Sequence, residues 1–195
     1  MLIIAYFTEN TQYETLANNL RQSCNQFNIP NHIKPVQNLG SWEKNTHYKA
    51  QFILDCLNQF SENLLYVDVD AVFRSYPELL QTLDCDIAYR TENFRWRANE
   101  ALSGTIYLRN SRKTKELVKS WIQLNESNPA QRFDPTTWEQ ANMQRVVQNN
   151  PDINYYNLPP GFTYIFDHHR KMYPNEKIII EHFQESRNVF RRKSL

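Results

Sequence analysis

The chain of 195 residues has only three glycines and three cysteines, no long apolar run, and almost no excess of charge, with 22 Lys and Arg against 21 Asp and Glu. Each shortage excludes something. Cys24, Cys56 and Cys85 are an odd number without CxxC spacing, which argues against a disulfide framework or a zinc ribbon; they read as small core residues of a protein in a reducing cytoplasm. No segment is long enough to span a bilayer. Met1 to Phe7 is apolar but short, lacks a basic leader and runs into Thr8-Glu9-Asn10, so it is expected to be a first strand and not a signal peptide. A net charge of +1 and a pI near 7.7 argue against a general nucleic-acid or membrane surface. Positive charge concentrates only at the end, in Arg187 and Arg191-Arg192-Lys193, a cluster that suits a phosphate better than a duplex. No internal repeat, low-complexity tract or linker divides the chain. With 41% hydrophobic and 13% aromatic residues it is expected to fold as one domain around a sizeable core.

Leu64-Leu-Tyr-Val67 is a continuous apolar run, the pattern of a strand covered on both faces in an α/β protein. It leads into Asp68 and Asp70. Two residues apart, these acids are expected on one side of an extended chain. Like charges that close are costly to desolvate, so they need a cation or a shared proton. A divalent metal is the simplest answer; two acids opening an exposed turn is the plainer one.

Strand and helix alternate along the rest. Leu2 to Phe7 is a strand; Thr11-x-x-Glu14 has the spacing of a capping box, and Tyr13, Leu16, Ala17, Leu20, Cys24 and Phe27 follow at helical intervals. A second strand is expected over Ile33 to Val36. A second helix, capped by Asn45 or Thr46, buries Tyr48, Phe52, Ile53, Cys56, Leu57 and Phe60. Lys49 then falls in its first turn, on the sheet edge that carries Asp68 and Asp70. There it either meets phosphates or snorkels at the surface. Asp86 to Tyr89 reads as a strand and Arg90 to Ala101 as a loop over a site. Thr105 to Leu108 is the next strand, with Gly104 at its edge marking either a bulge or close approach to a ligand. Asn110 or Ser111 caps a third helix. A fourth starts near Asp134 to Thr136, where Thr136-x-x-Glu139 again has capping-box spacing, so Glu139 has a structural reading beside a catalytic one. Ile153 to Leu158 and Lys177 to His182 are the last strands, separated by an irregular stretch in which His168 and His169 are too divergent to chelate. Asp68, Asp70, His182, Lys49 and Arg187 thus share one sheet edge. Two carboxylates and one imidazole suit Mn²⁺ better than Ca²⁺, with Mg²⁺ the other candidate, and leave coordination positions open to diphosphate oxygens.

Tyr66-Val-Asp68-Val-Asp70-Ala71 resembles the DxD motif of GT-A-fold glycosyltransferases. The series around it is similar to small nucleotide-diphospho-sugar transferases of bacteria and large viruses, and more distantly to glycogenin-like enzymes. Gly40-Ser-Trp42, Lys49, Phe52-Ile53, Ser103-Gly104-Thr-Ile-Tyr107, Trp138-Glu-Gln140, Leu158-Pro-Pro160 and Glu181-His182-x-Gln184-x-Ser186 occur in that family's order. The resemblance implies a single GT-A, Rossmann-like α/β domain over residues 1–195, with a mostly parallel mixed sheet flanked by helices. It implies a cytoplasmic enzyme moving a sugar from a nucleoside-diphosphate donor, UDP by preference, to a glycan or other hydroxyl acceptor.

In the same terms Tyr6, Phe7 and Thr8 would line the base and ribose. Tyr13 would stack on the base, its alternative being a core position on the first helix. Asp68, Asp70 and His182 would hold Mn²⁺ or Mg²⁺, with Asp68 able to hold the ribose instead. Lys49 and Arg187 would meet the diphosphate, Ser103 and Gly104 the donor sugar, and Glu139-Gln140 the anomeric carbon. Glu139 stands where the family commonly has Asp. Retention of configuration is the favoured outcome. Two rivals share the residues: a haloacid-dehalogenase-like phosphatase with Asp68 as nucleophile, and a sugar-nucleotide-binding module without turnover.

Overall fold

The computed structural model describes residues 1–94, 97–131 and 133–185, with only the backbone of Arg97; the expectation for Arg187 lies outside them. In chain order the elements are β1 (Leu2–Thr8), α1 (Tyr13–Gln26), β2 (Asn31–Val36), α2 (Trp42–Gln59), β3 (Leu64–Val67), β4 (Ala71–Phe73), β5 (Ile87–Phe94), β6 (Arg97–Leu108), α3 (Arg112–Ser127), α4 (Glu139–Gln148), β7 (Tyr155–Asn157), β8 (Tyr164–Ile165), α5 (His169–Met172) and β9 (Ile180–His182).

Six strands form a mixed central sheet in the order β2-β1-β3-β6-β5-β7. β1 lies parallel to β2 and β3, and β5 parallel to β7, while β6 is antiparallel to both its neighbours. All four residues of β3 are buried, as a run without polar alternation requires. Successive residues of β1 and β3 serve opposite layers. Ile3, Ala5, Leu65 and Val67 pack with α1 and a small second sheet, β4-β9-β8. Ile4, Leu64 and Tyr66 pack with α2, α3 and α4, where Trp121 and Leu57 fill the space.

Several local expectations are corrected. α2 begins at Trp42, capped by Ser41, whose hydroxyl accepts from the Lys44 N–H at 3.2 Å. Neither Asn45 nor Thr46 caps it. Asn45 instead accepts from the Leu39 N–H through its side chain. Lys49 is therefore two turns into the helix and buried. At α1 the reciprocal capping box is displaced: Thr11 Oγ1 accepts from the Tyr13 N–H, and Glu14 reaches the N–H of Asn10, one residue before Thr11. Of the two starts offered for the fourth helix, Asp134 caps the turn at Pro135–Thr137, and α4 itself opens later, at Glu139 with Trp138 before it. Ser111, one of the two candidates, caps α3.

The largest correction is Arg90 to Ala101. Its described residues, 90–94 and 97–101, belong to the paired strands β5 and β6, whose register shifts between Tyr89 and Arg90 and again between Glu92 and Phe94, while residues 95 and 96 lie outside the described residues. Each irregularity breaks the period-2 pattern that would have announced a strand. The first shift leaves Ser103, Gly104 and Thr105 without partners on β5, while on the other side Thr105 still pairs with Val67 and the Asp68 N–H donates to the Gly104 carbonyl at 2.9 Å. This bulge turns Ser103-Gly104-Thr105 toward the ends of β3 and β9.

Candidate active site

A cleft of about 500 Å³ opens where β1, β3 and the bulge of β6 end, beside the starts of α2 and α4. Tyr6, Phe7, Thr8, Tyr13, Lys49, Asp68, Asp70, Ser103, Gly104, Glu139, Gln140 and His182 all line it. Every sequence-derived site residue that the structure describes thus falls in one cavity, although they come from seven different parts of the chain's fold.

The acidic pair is not on an extended strand. β3 stops at Val67, and the Ala71 N–H bonds back to the Asp68 carbonyl at 3.1 Å, closing a turn that carries the chain into β4 and the second sheet. The turn sets the two carboxylates close enough for the charge of one to act on the other, both of them half-buried. Asp70 is pushed up to about 6 by burial and by the charge of Asp68, against which a hydrogen bond from the Glu185 N–H to Oδ2 at 2.8 Å works in the other direction. That N–H is delivered by the segment after β9, where Gln184 adopts a left-handed conformation with φ of 52° and the Phe183 N–H meets the Asp70 carbonyl at 3.0 Å.

Lys49 is the hub beneath the cleft. Its Nζ donates to Glu139 Oε1 at 2.8 Å, to Ser103 Oγ at 3.0 Å and to the Ser103 carbonyl at 3.1 Å, and lies 3.3 Å from Asp68 Oδ1. Burial works to deprotonate the amine, but Asp68 and Glu139 outweigh it and raise its pKa. Ser103 Oγ also donates to Glu139 Oε1 at 2.7 Å, and Trp121 Nε1 donates to the Glu139 carbonyl at 2.9 Å, so the first residue of α4 is held from three sides. Glu139 Oε2 is buried without a hydrogen-bond partner. The capping-box reading of Glu139 is thereby replaced: its side chain turns to Lys49 instead of back along its own helix.

His182, the last residue of β9, is buried opposite Gly104. A β-carbon on Gly104 would sit 3.1 Å from His182 Nδ1 and 3.3 Å from Asp68 Oδ2, so glycine here is what allows imidazole and carboxylate to converge. Both readings of Gly104 therefore hold, a bulge and a close approach, the approach being to protein side chains. Burial lowers the His182 pKa to about 4, which leaves the ring neutral, the state a metal ligand requires. Its Nε2 lies 2.9 Å from Thr105 Oγ1. Asp68 Oδ1 is occupied by Lys49 and by the Tyr66 hydroxyl at 2.8 Å. Among the described residues, no three His, Cys, Asp or Glu side chains stand in the geometry of a metal centre. The donor chemistry nonetheless fits a divalent cation: two carboxylates, one of them raised in pKa by desolvation and by the charge of the other, and a neutral imidazole around the space that Gly104 leaves free.

Several lining residues were not singled out from sequence. Tyr66 was legible in principle, since period 2 puts it on the same side as Asp68. Trp42 and Trp138 meet edge to face at 5.5 Å at the starts of α2 and α4, a pairing of residues 96 positions apart that no local pattern announces. Phe94, Glu100 and Thr163 lie in the hairpin and in the irregular stretch after Pro159-Pro160. No helix of the described residues is long and apolar enough to cross a membrane.

Comparison with solved structures places this architecture among glycosyltransferases. A glycosyltransferase involved in the glycosylation of the major capsid of PBCV-1 superimposes with a TM-score of 0.74 at 17% identity, over 96% of this chain and 95% of that one. The glycosyltransferase GlyE of Streptococcus pneumoniae TIGR4 gives 0.66 at 13% identity, over 93% of this chain and 54% of its own. The bifunctional WbbM glycosyltransferase gives 0.66 at 11%, over 94% and 45%. At these identities the likeness is one of fold. No curated protein matches by sequence. The family model for nucleotide-diphospho-sugar transferases matches residues 16–184, which include Lys49, Asp68, Asp70, Ser103, Gly104, Glu139, Gln140 and His182, and the chain belongs to that family.

Proposed function

We propose that the protein is a metal-dependent glycosyltransferase that moves a sugar from a nucleoside-diphosphate donor, UDP by preference, to a hydroxyl acceptor with retention of configuration. One observation carries the metal dependence: half-buried Asp70 stands beside Asp68, with a pKa raised to about 6, next to a neutral His182 in the space kept open by Gly104. A cation there relieves the repulsion between the carboxylates. Asp68, Asp70 and His182 are the residues that would hold Mn²⁺ or Mg²⁺, and the bound ion would supply charge neutralisation for the departing diphosphate. Family membership displaces the phosphatase reading of Asp68.

The remaining steps belong to the chain's own residues. Tyr6, Phe7, Thr8 and Tyr13 form the wall for base and ribose at the end of β1 and the start of α1. Cleavage of the sugar–phosphate bond sends the bonding electrons to the diphosphate and leaves positive charge on the sugar. Glu139, fixed by Lys49 and Ser103, supplies negative charge beside that sugar, and Gln140 orients it. Ser103 and Gly104 border the same space. All the nearby acceptors of Lys49 are already engaged, so its contribution is to hold Asp68 and Glu139 in register; a direct phosphate contact requires it to give up one of them. Buried free thiols at Cys24, Cys56 and Cys85 support a reducing compartment.

The test is release of UDP from a panel of UDP-sugars with and without MnCl₂. Mn²⁺-dependent release that disappears in Asp70→Ala supports the proposal. UDP binding with no turnover on any donor and acceptor favours the binding module, and phosphate release from simple monoesters through Asp68 overturns it. The anomeric configuration of the first product, read by NMR, tests retention.

A further inference from the structure

Beneath the acidic turn, one contact has no part in the chemistry described so far. Tyr66, two residues before Asp68, is buried in β3, and its hydroxyl donates to Asp68 Oδ1 at 2.8 Å. Its ring is fixed as well. It packs against Tyr6 with centroids 6.2 Å apart, and Lys49 Nζ stands 5.0 Å from its centroid. The phenol is thus a donor of fixed direction.

Asp68 needs such a donor. Its side chain is 38% exposed, so water competes for both oxygens, and the last torsion of an aspartate is broad and soft. Lys49 does not stop that rotation. An ammonium has three hydrogens to donate, and Lys49 Nζ directs its bonds to Glu139 Oε1, Ser103 Oγ and the Ser103 carbonyl at 2.8, 3.0 and 3.1 Å, whereas Asp68 Oδ1 lies farther off at 3.3 Å. Lys49 therefore gives Asp68 a counter-charge, and Tyr66 gives it a direction. With Oδ1 turned to these two groups, Oδ2 faces the space that Gly104 leaves. It lies 3.3 Å, and His182 Nδ1 3.1 Å, from the point where a β-carbon on Gly104 would stand.

We infer that Tyr66 is a positioning residue for the cation site: by holding Asp68 Oδ1 it leaves Oδ2 as the oxygen offered to a divalent ion beside His182. The inference rests on the metal-dependent reading proposed above. A carboxylate hydrogen-bonded through one oxygen keeps the other aimed before the ion arrives, and loss of such an outer partner weakens metal binding by about 10–100-fold. Tyr66 acts through Asp68 and not on the substrate, since its own surface is almost wholly covered.

Electron paramagnetic resonance of free Mn²⁺, with MnCl₂ added stepwise to the full chain, reads the affinity without turnover. Tyr66→Phe removes one oxygen and keeps the ring, so its metal-free Tm should fall by no more than about 2–4 °C. Its Kd for Mn²⁺ should rise about tenfold or more. Tyr107→Phe is the control: that phenol is equally buried and accepts from Asn63 at 3.0 Å, at the other end of β3 from Asp68. It should move Tm by a similar amount and leave the Kd for Mn²⁺ unchanged. In an Asp68→Ala background, where no carboxylate is left to aim, adding Tyr66→Phe should alter the residual affinity by less than about twofold. The inference is overturned if Tyr66→Phe binds Mn²⁺ as tightly as the wild type, if Tyr107→Phe weakens it equally, or if the loss persists in full without Asp68. A wild-type chain that binds no Mn²⁺ would instead sink the metal-dependent reading itself.

Discussion

Lys49 Nζ joins two carboxylates from distant parts of the chain, Glu139 at 2.8 Å and Asp68 at 3.3 Å, and so couples the start of α4 to the end of β3. Glu139 is almost fully buried, and among the described residues Lys49 is the cation paired with it. Lys49→Met should therefore leave an uncompensated buried charge and cost about 3–5 kcal/mol in urea unfolding, while Lys49→Met with Glu139→Leu should recover most of that loss. A single variant as stable as the wild type would mean that the carboxylate is solvated or protonated in solution.

Gly104 and His182 give a second expectation. A methyl group at residue 104 would lie 3.0 Å from His182 Cε1 and 3.1 Å from Nδ1, and the ring has little freedom to retreat because Thr105 holds Nε2 and β9 is paired on both sides. Gly104→Ala should cost about 1–3 kcal/mol from overpacking and displace the imidazole. Mn²⁺-dependent UDP release should fall by more than the loss of folded protein explains, measured well below Tm. Gly161→Ala should be worse for stability, since its β-carbon would collide with the Lys177 carbonyl, backbone that has no rotamer with which to yield.

What sequence revealed depended on how local the cause was. β3 was legible because four apolar residues in a row leave no exposed face, and the acids after it because their repulsion needs an explanation in any fold. The second sheet was only partly legible. Lys177 to His182 read as a strand, yet only Ile180–His182 pairs, and β4 and β8 have three and two residues, too few to show a period. The β5–β6 hairpin was misread because its polar residues satisfy one another across space. Arg90 meets Glu92, and both meet the Tyr173 hydroxyl, so charges that look like loop composition are a buried network. Lys49 shows the same limit: helical spacing gave its neighbourhood, but its partners are 19, 54 and 90 residues away.

Asp70 predicts how stability changes with pH. Its pKa stands near 4 in the unfolded chain and about 6 in the fold, so between those values the folded state binds more protons and stability falls as pH rises. Without metal, Asp70→Asn should be more stable than wild type at pH 7, by about 1–3 kcal/mol, and the difference should vanish near pH 4. Mn²⁺ should stabilise the wild type at pH 7 and leave Asp70→Asn nearly unchanged. Thermal melts at the two pH values, with and without MnCl₂, measure both effects; a variant less stable at pH 7 would show that the carboxylate is already compensated.

His169 acts in the opposite sense. It is buried behind the hairpin, where Nδ1 accepts from the Ile165 N–H at 3.0 Å, which places the proton of the neutral ring on Nε2 facing Glu92 at 3.6 Å. Burial lowers its pKa to about 4, although Glu92 pulls upward. The unfolded chain binds the proton first, so the contribution of neutral His169 is complete above about pH 6.5 and is lost as pH falls toward 4. His169→Gln, which keeps an acceptor for the Ile165 N–H, should remove about 1–3 kcal/mol of this acid sensitivity. Chemical denaturation of wild type and variant at pH 7 and pH 5 measures this effect. Parallel stability curves for the two proteins would show that His169 does not titrate with folding.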